Sequence, residues 1–422
     1  MLTAATCVHR FILNSLTMLI LNRRKFIQSG SLASAALMLP KFLKAFEKRK
    51  AGEEGKILVV VQLSGGNDGL NTVIPYRNDI YYKVRPELGI RRQDALQITD
   101  DLGLHPALKG LKSLYDDGSL GVLNNVGYPN PDRSHFRSMD IWQTASGSDQ
   151  LLTTGWIGRY LDAQCDGCGH TTQAVEVDDT LSLALRGKNM RGLTVPNPQR
   201  LYASAHDSFF SAIEKDHHSH GDDHNNVDYL YKTLAETMSS ADYIYKKSKI
   251  YKSTAAYPDS EFGRGLKTIS ELIISGCDTQ VYYISLGSFD THVNQHPQQA
   301  RLFTQLGDGL NVFAEDLKKN NRFQDVVVMT FSEFGRRVAQ NASQGTDHGT
   351  ANCMFLVSGG MKRQGILNAA PDLSHLDQKN PETGDLIYQV DFRDVYATLL
   401  HKWLKTDDRT ILGENHTYQD FI

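Results

Sequence analysis

Between Val326 and Gly360, two short apolar runs bracket a dense set of charged residues, and no other stretch limits the fold as much. The first run, Val326-Val327-Val328-Met329-Thr330-Phe331, and the second, Met354-Phe355-Leu356-Val357, are short and β-branched or bulky, as buried strands are. Between them lie Glu333, Arg336, Arg337, Asp347 and His348. A strand that is dry on both faces excludes such groups. They must therefore gather in a loop at a strand end, where α/β folds carry their chemistry. Asp347-His348-Gly349 places two adjacent metal-ligand types before a glycine that lets the backbone turn. Taken alone, the tripeptide fits a plain turn as well as a ligand pair, so the rest of the chain has to decide.

Three more strand ends repeat the pattern. Ile57–Leu63 is a continuous apolar run that stops at Ser64-Gly65-Gly66-Asn67-Asp68-Gly69, a glycine-rich turn with one carboxylate. Its glycines could cradle an anion through backbone N–H groups, but they match neither a P-loop nor a dinucleotide fingerprint. Leu120–Val126 is the next strand, and Pro129 and Pro131 force a loop after it. Ser134 then falls at the start of a helix. It reads either as an N-cap or as a nucleophile in the positive field of the helix terminus, with Arg133 beside it to hold an oxyanion. Thr279–Leu286 runs directly into Asp290, His292 and His296. Elsewhere, Leu104–Leu108 opens an amphipathic helix and residues 172–205 read as a β-rich or irregular insertion. Residues 226–276 read as two long helices broken near Tyr257-Pro258, 298–320 as an amphipathic helix, and 390–400 as a capped helix. This order predicts an α/β fold, a three-layer α/β/α sandwich with a mostly parallel sheet, in a single domain over residues 55–422.

In a parallel sheet these ends share one edge, so Asp68, Ser134, Asp290 with His292, and Asp347 with His348 can converge. Carboxylates and imidazoles around a hydroxyl suit one or two divalent ions, Zn or Mn. Two ions about 4 Å apart would clamp the attacking and leaving oxygens of a displacement at phosphorus or sulfur. Asp and His would hold the ions, Ser134 would attack, and Arg336 or Arg133 would steady the anion.

The chain has 422 residues, 22% of them charged, and a formal net charge of −3, which does not favour nucleic acid as a partner. Residues 1–50 differ from the rest. Arg23-Arg24-Lys25-Phe26-Ile27 precedes a modest Ala- and Ser-rich apolar stretch, the pattern of a twin-arginine export leader. That stretch is shorter than the roughly 20 residues of a stable membrane span. The expected setting is therefore the periplasm or cell surface, with the twin-arginine machinery as a partner. Cys165 and Cys168 form a lone CxxC pair, which fits a local disulfide or two thiols better than a zinc ribbon. A His-rich insertion near 206–226 holds His217, His218, His220 and His224, and reads as a solvated loop or a transition-metal tract.

Taken together, six motifs resemble an exported family known as domain of unknown function 1501, which is sulfatase-like and related to the alkaline phosphatase superfamily. They are Gly65–Thr72, Leu104-His105-Pro106, Arg133-Ser134-His135-Phe136, Phe289-Asp290-Thr291-His292, Ser332–Arg337 and Gly345–Thr350. The resemblance implies a first-strand ligand at Asp68, a nucleophile at Ser134, an Asp/His pair at Asp290 with His292 or His296, and a second pair at Asp347-His348. That second pair is similar to the Asp-His-Gly of cofactor-independent phosphoglycerate mutases. The implied activity is hydrolysis of a small anionic ester or an extracellular glycan or phosphoester. The alternative is an exported non-catalytic binding or scaffold protein on the same fold with a degenerate metal site. Two departures stand out: no late histidine sits in a matching motif, and no Cys-x-Pro-x-Arg or Ser-x-Pro-x-Arg occurs for a formylglycine.

Overall fold

Every residue of β1 (Ile57–Leu63) is buried, because the strand lies at the centre of a sheet covered on both faces. This explains its unbroken apolar run, since alternation is lost when neither face meets water. The computed structural model describes residues 55–164, 171–207, 226–377 and 384–422. The twin-arginine leader, the Cys165–Cys168 pair and nearly all of the His-rich run lie outside the described residues.

The other strands of the main sheet are β2 (Leu120–Gly127), β3 (Ala174–Glu176), β4 (Leu193–Thr194), β5 (Val281–Leu286), β6 (Val326–Phe331), β7 (Asn352–Val357), β8 (Gly365–Ile366) and β9 (Val390–Asp391). Their order is β8-β2-β7-β6-β1-β5-β3-β4, with β9 pairing β2. β1 pairs in parallel with β5 and β6, and only β7 runs antiparallel, to both β2 and β6. β3 and β4 extend this sheet in parallel. The segment read as an insertion over 172–205 therefore supplies the sheet's edge.

Helices cover both faces. Ile57, Val59, Val61 and Leu63 point into one core and Leu58 and Val60 into the other, as the two-residue period of a strand requires. Helices α1 (Asp79–Val84) and α2 (Lys109–Asp116) follow β1, and α3 (His135–Thr144) and α4 (Trp156–Gln164) follow β2. Next come α5 (Asn226–Lys247), α6 (Glu261–Ile274), α7 (Gln295–Lys319) and α8 (Phe392–Thr398). α2, α6 and α7 put Leu111, Leu266, Ile269, Phe303, Leu306 and Leu310 against the first face. α3, α4 and α8 put Trp142, Trp156, Tyr160 and Tyr396 against the second. The buried positions of α7 recur every three or four residues, and this stripe makes a helix bury one side. The result is the expected α/β/α sandwich.

The antiparallel β7 positions the site. The chain leaves β6 at Phe331 and re-enters the sheet at Asn352 from the same edge, so Glu333, Arg336 and His348 all stay at that edge. Leu63 pairs with Leu286 and Gln62 with Phe331, so β1, β5 and β6 deliver their loops side by side.

Candidate functional site

The 332–350 loop folds back on itself. Arg337 N–H donates to the Asp347 carbonyl at 3.0 Å, Gly349 N–H to the Gly335 carbonyl at 2.8 Å, and Arg336 and His348 form an isolated antiparallel bridge. A Cβ on Gly349 would stand 2.5 Å from the Arg336 carbonyl carbon, so this glycine serves close approach rather than a left-handed turn. Gly65 has φ +118°, and a Cβ there would meet the Asp290 backbone nitrogen at 2.4 Å. The first turn can press against the Asp290 loop only with glycine at this position.

Asp290 sits at the centre. Its Oδ1 lies 3.1 Å from His292 Nε2, 3.2 Å from His348 Nε2 and 2.7 Å from an Arg336 Nη, and its Oδ2 lies 3.4 Å from His135 Nε2. The Nε2 atoms of His292 and His348 are 3.0 Å apart. Each ring is turned by an oxygen on its other nitrogen. His135 Nδ1 is 2.9 Å from Glu333 Oε1, His292 Nδ1 is 3.1 Å from Asp347 Oδ1, and His348 Nδ1 is 2.8 Å from the Arg133 carbonyl. A carbonyl only accepts, so His348 Nδ1 carries a proton, and the neutral ring aims a lone pair from Nε2. A carboxylate likewise only accepts, so the Nδ1 atoms of His135 and His292 donate to Glu333 and Asp347. His135 Nε2 is buried and makes no hydrogen bond among the described residues.

Elementary electrostatics sets the charges. Burial alone would raise the pKa of Asp290, but the hydrogen bond and charge of Arg336, with His348 and His292, outweigh it and hold the carboxyl at about 2. Burial also works to raise Asp347, yet its hydrogen bonds from Asn341 and His292 hold it below the usual range. The Glu333 hydrogen bond raises His135 against the opposing effect of burial. Burial lowers His348, and the Arg336 charge adds to this while the Arg133 carbonyl opposes it.

The donor atoms of His135, Asp290 and His348 lie within 4.8 Å of one another, a grouping that could hold a metal ion, and His292 Nε2 borders it. Ligands at about 2.0–2.1 Å from a tetrahedral Zn ion stand roughly 3.3 Å apart. The contacts of 3.0, 3.1 and 3.2 Å among Asp290 Oδ1, His292 Nε2 and His348 Nε2 fit one face of such a polyhedron, and His135 Nε2 lies 3.4 Å from the other oxygen, Asp290 Oδ2. The oxygen partners on the Nδ1 atoms match the orienting contacts that metal-binding imidazoles usually have.

The structure places the expected residues unequally. Asp290, His292 and His348 come together; Asp347 turns His292 through its Oδ1. Asp68 does not take the ligand position expected of it. Its carboxylate receives Arg85 at 2.7 and 3.0 Å and Gln295 at 2.6 Å, and Asp68 and Arg85 are 1% and 0% exposed. Arg336 is buried and donates to the carbonyls of Gly65, Gly66, Phe289 and Thr346 and to Asp290, so the guanidinium is engaged inside the protein. Arg133 pairs with Asp385. Ser134 occupies the N-cap position of α3, exposed, and its hydroxyl makes no capping bond. His296 reaches the Glu87 carbonyl at 3.1 Å instead of the cluster. Sequence reasoning missed His135 as a member. The signal was a histidine at the first position of a helix that follows a strand end.

Over residues 55–419 the sequence matches the family described as Protein of unknown function (DUF1501). The chain belongs to that family. No curated protein matches it. Solved structures similar to this DUF1501 chain include the lipoteichoic acid synthase LtaP from Listeria monocytogenes, at 10% identity and TM-score 0.34, covering 74% of this chain and 68% of that one. The PsFucS1 sulfatase from Pseudoalteromonas sp. is similar at 11% identity and TM-score 0.37, covering 92% and 77%. A protein in the alkaline phosphatase superfamily from Vibrio parahaemolyticus is similar at 10% identity and TM-score 0.30, covering 72% and 60%. At these identities and TM-scores, none of their activities transfers to the chain.

Proposed function

We propose that this chain is an exported, metal-dependent hydrolase of phosphate esters and, less readily, of sulfate esters. One observation carries the reading: three imidazole Nε2 atoms gather around the Asp290 carboxylate while each Nδ1 is fixed by an oxygen. The Nε2 atoms of His292 and His348, 3.0 Å apart, are close enough to face one divalent cation together. Imidazole-rich donors favour Zn over Mn. When bound, the ion would supply Lewis-acid stabilisation to an anionic ester.

The chain's own residues supply the rest. Asp290, His135, His292 and His348 would hold the ion, and Asp347 and Glu333 would orient two of the rings. Ser134, exposed at the N-terminus of a ten-residue helix and next to His135, would attack. Its oxygen bonds to phosphorus as the ester oxygen leaves as the alcohol, which takes up the hydroxyl's proton; water then releases phosphate. Arg133 would steady the anion by exchanging Asp385 for it. Export rests on the twin-arginine pattern. Among the described residues, no helix is long and apolar enough to cross a membrane.

The second reading is a metal-binding protein without ester turnover. The engagement of Arg336 and Asp68 inside the protein favours it, because both would otherwise serve catalysis. The test is metal analysis of the purified full chain, with turnover of p-nitrophenyl phosphate and p-nitrophenyl sulfate. Expected are bound divalent metal, phosphatase activity, and a Ser134→Ala variant that keeps the metal and loses turnover. Metal without turnover of any ester selects the second reading. No metal above background refutes both.

A further inference from the structure

Four donors, three imidazoles and the Asp290 carboxylate, converge at the sheet edge, and the second carboxylate that could have extended them, Asp68, is taken. Asp68 is fully buried, and both its oxygens are held by the Arg85 guanidinium, with Gln295 on Oδ2 as well. Arg85 is fixed in turn by the carbonyls of Val338 and Arg337 at 2.8 Å and by Asn71 Oδ1 at 2.7 Å. A guanidinium that donates in parallel to a carboxylate is a strong, geometrically specific pair. A dication seated on Asp68 would have to displace that buried cation or share its carboxylate, and leaving a buried charge unpaired is strongly unfavourable. Asp347 Oδ1 is engaged by His292 at 3.1 Å and Asn341 at 3.2 Å, where it orients a ring of the cluster.

We infer that the centre is mononuclear: one divalent ion on His135, His292, His348 and Asp290, with Arg85 the fixed cation that denies Asp68 to a second. This rests on the metal-dependent reading above. It changes the chemistry, because a single ion can contact the attacking or the leaving oxygen but does not clamp both as a pair would. The other charge at this edge is then protein-borne and cannot be chelated away.

The test is a titration of the metal-free full chain with Co²⁺, followed by its visible absorption and by metal-to-protein ratio after desalting. His217, His218, His220 and His224 are changed to Asn, because that run can bind a transition metal by itself. Expected is one class of site that saturates at one equivalent, with His348→Ala abolishing the visible band. Saturation at two equivalents, with a second spectral step, overturns the single-ion inference and leaves the metal-dependent reading standing. No uptake overturns that reading, and the inference falls with it.

Discussion

Replacing Arg336 by lysine separates a residue that builds the site from one that binds substrate. The guanidinium is 0% exposed and serves five protein acceptors: the carbonyls of Gly65, Gly66, Phe289 and Thr346, and Asp290 Oδ1. Lysine keeps the charge but has three donors on one atom, so at least two acceptors lose their partner. Each buried polar group left unsatisfied costs about 1–3 kcal/mol, which predicts a loss of roughly 2–6 kcal/mol. That is a large fraction of the roughly 5–15 kcal/mol total of an ordinary domain. The assay is equilibrium urea unfolding of the full chain in chelator, so that metal binding does not mask the change, with m-values compared to confirm the same transition. An anion clamp would leave this metal-free stability unchanged and lower only kcat/KM. A loss under about 1 kcal/mol would therefore refute the structural role argued from the contacts.

Burial raises the Glu176 carboxyl from 4.5 to about 7, with the Ser182 backbone N–H opposing it. The folded state thus holds a proton that the unfolded chain has released, and stability declines as pH rises from about 4.5 through about 7. Glu176→Gln keeps an acceptor for Ser182 and should be more stable than the wild type at pH 8, by on the order of 3 kcal/mol, with the gap closing near pH 4.5 in thermal melts. Asp347→Ala removes the oxygen that fixes His292 Nδ1; it should weaken metal affinity about 10–100-fold in a competition titration against a chelating dye, with metal-free stability little changed. Gly65→Ala forces a side chain into φ +118° and against the Asp290 backbone, so the melting curve should show a loss of at least about 2 kcal/mol.

Some of this was legible in the sequence because burial writes itself into composition. Ile57–Leu63 and Val326–Phe331 are unbroken apolar runs because both strands are interior to a covered sheet, and the motifs at their ends follow. Direction is not written in the same way. Asn352–Val357 looks like any buried strand, and only its pairing with β2 and β6 shows it to be antiparallel. Ala174–Glu176 and Leu193–Thr194 are too short to show a period, so a sheet edge passed for an insertion. At the site, Asp290, His292 and His348 stood out because ligand-type residues clustered locally. His135 did not, because its partners Glu333 and His348 lie far away in sequence and meet it only through the fold. Asp68 shows the reverse. A carboxylate after a strand is the same sequence signal whether it meets a metal or an arginine, and the turn at Arg85 decides.

The Asp290–His292 segment is held before any ion arrives. Ser288 and Asn294, on either side of it, have φ of 76° and 45°, a conformation that side-chain-bearing residues avoid unless the surroundings impose it. The surroundings do impose it. Phe289 N–H donates to the Ser64 carbonyl at 3.0 Å, Thr346 N–H to the Thr291 carbonyl at 3.2 Å, and Asn294 N–H to the Ser343 carbonyl at 3.0 Å. Loops from β1 and β6 thus grip the β5 loop from both sides, and Arg336 ties all three together through Gly65, Phe289 and Thr346. Folding, rather than the ligand, bears the cost of bringing three imidazoles and a carboxylate together. A preorganised donor set of this kind favours tight binding of one small cation, because little ordering remains when it enters. The same grip leaves Asp68 and Arg85 packed beneath it as a second, permanent ion pair. The sheet edge therefore carries two charge clusters of different kinds: an outer one with lone pairs open to a cation, and an inner one already neutralised by the protein itself.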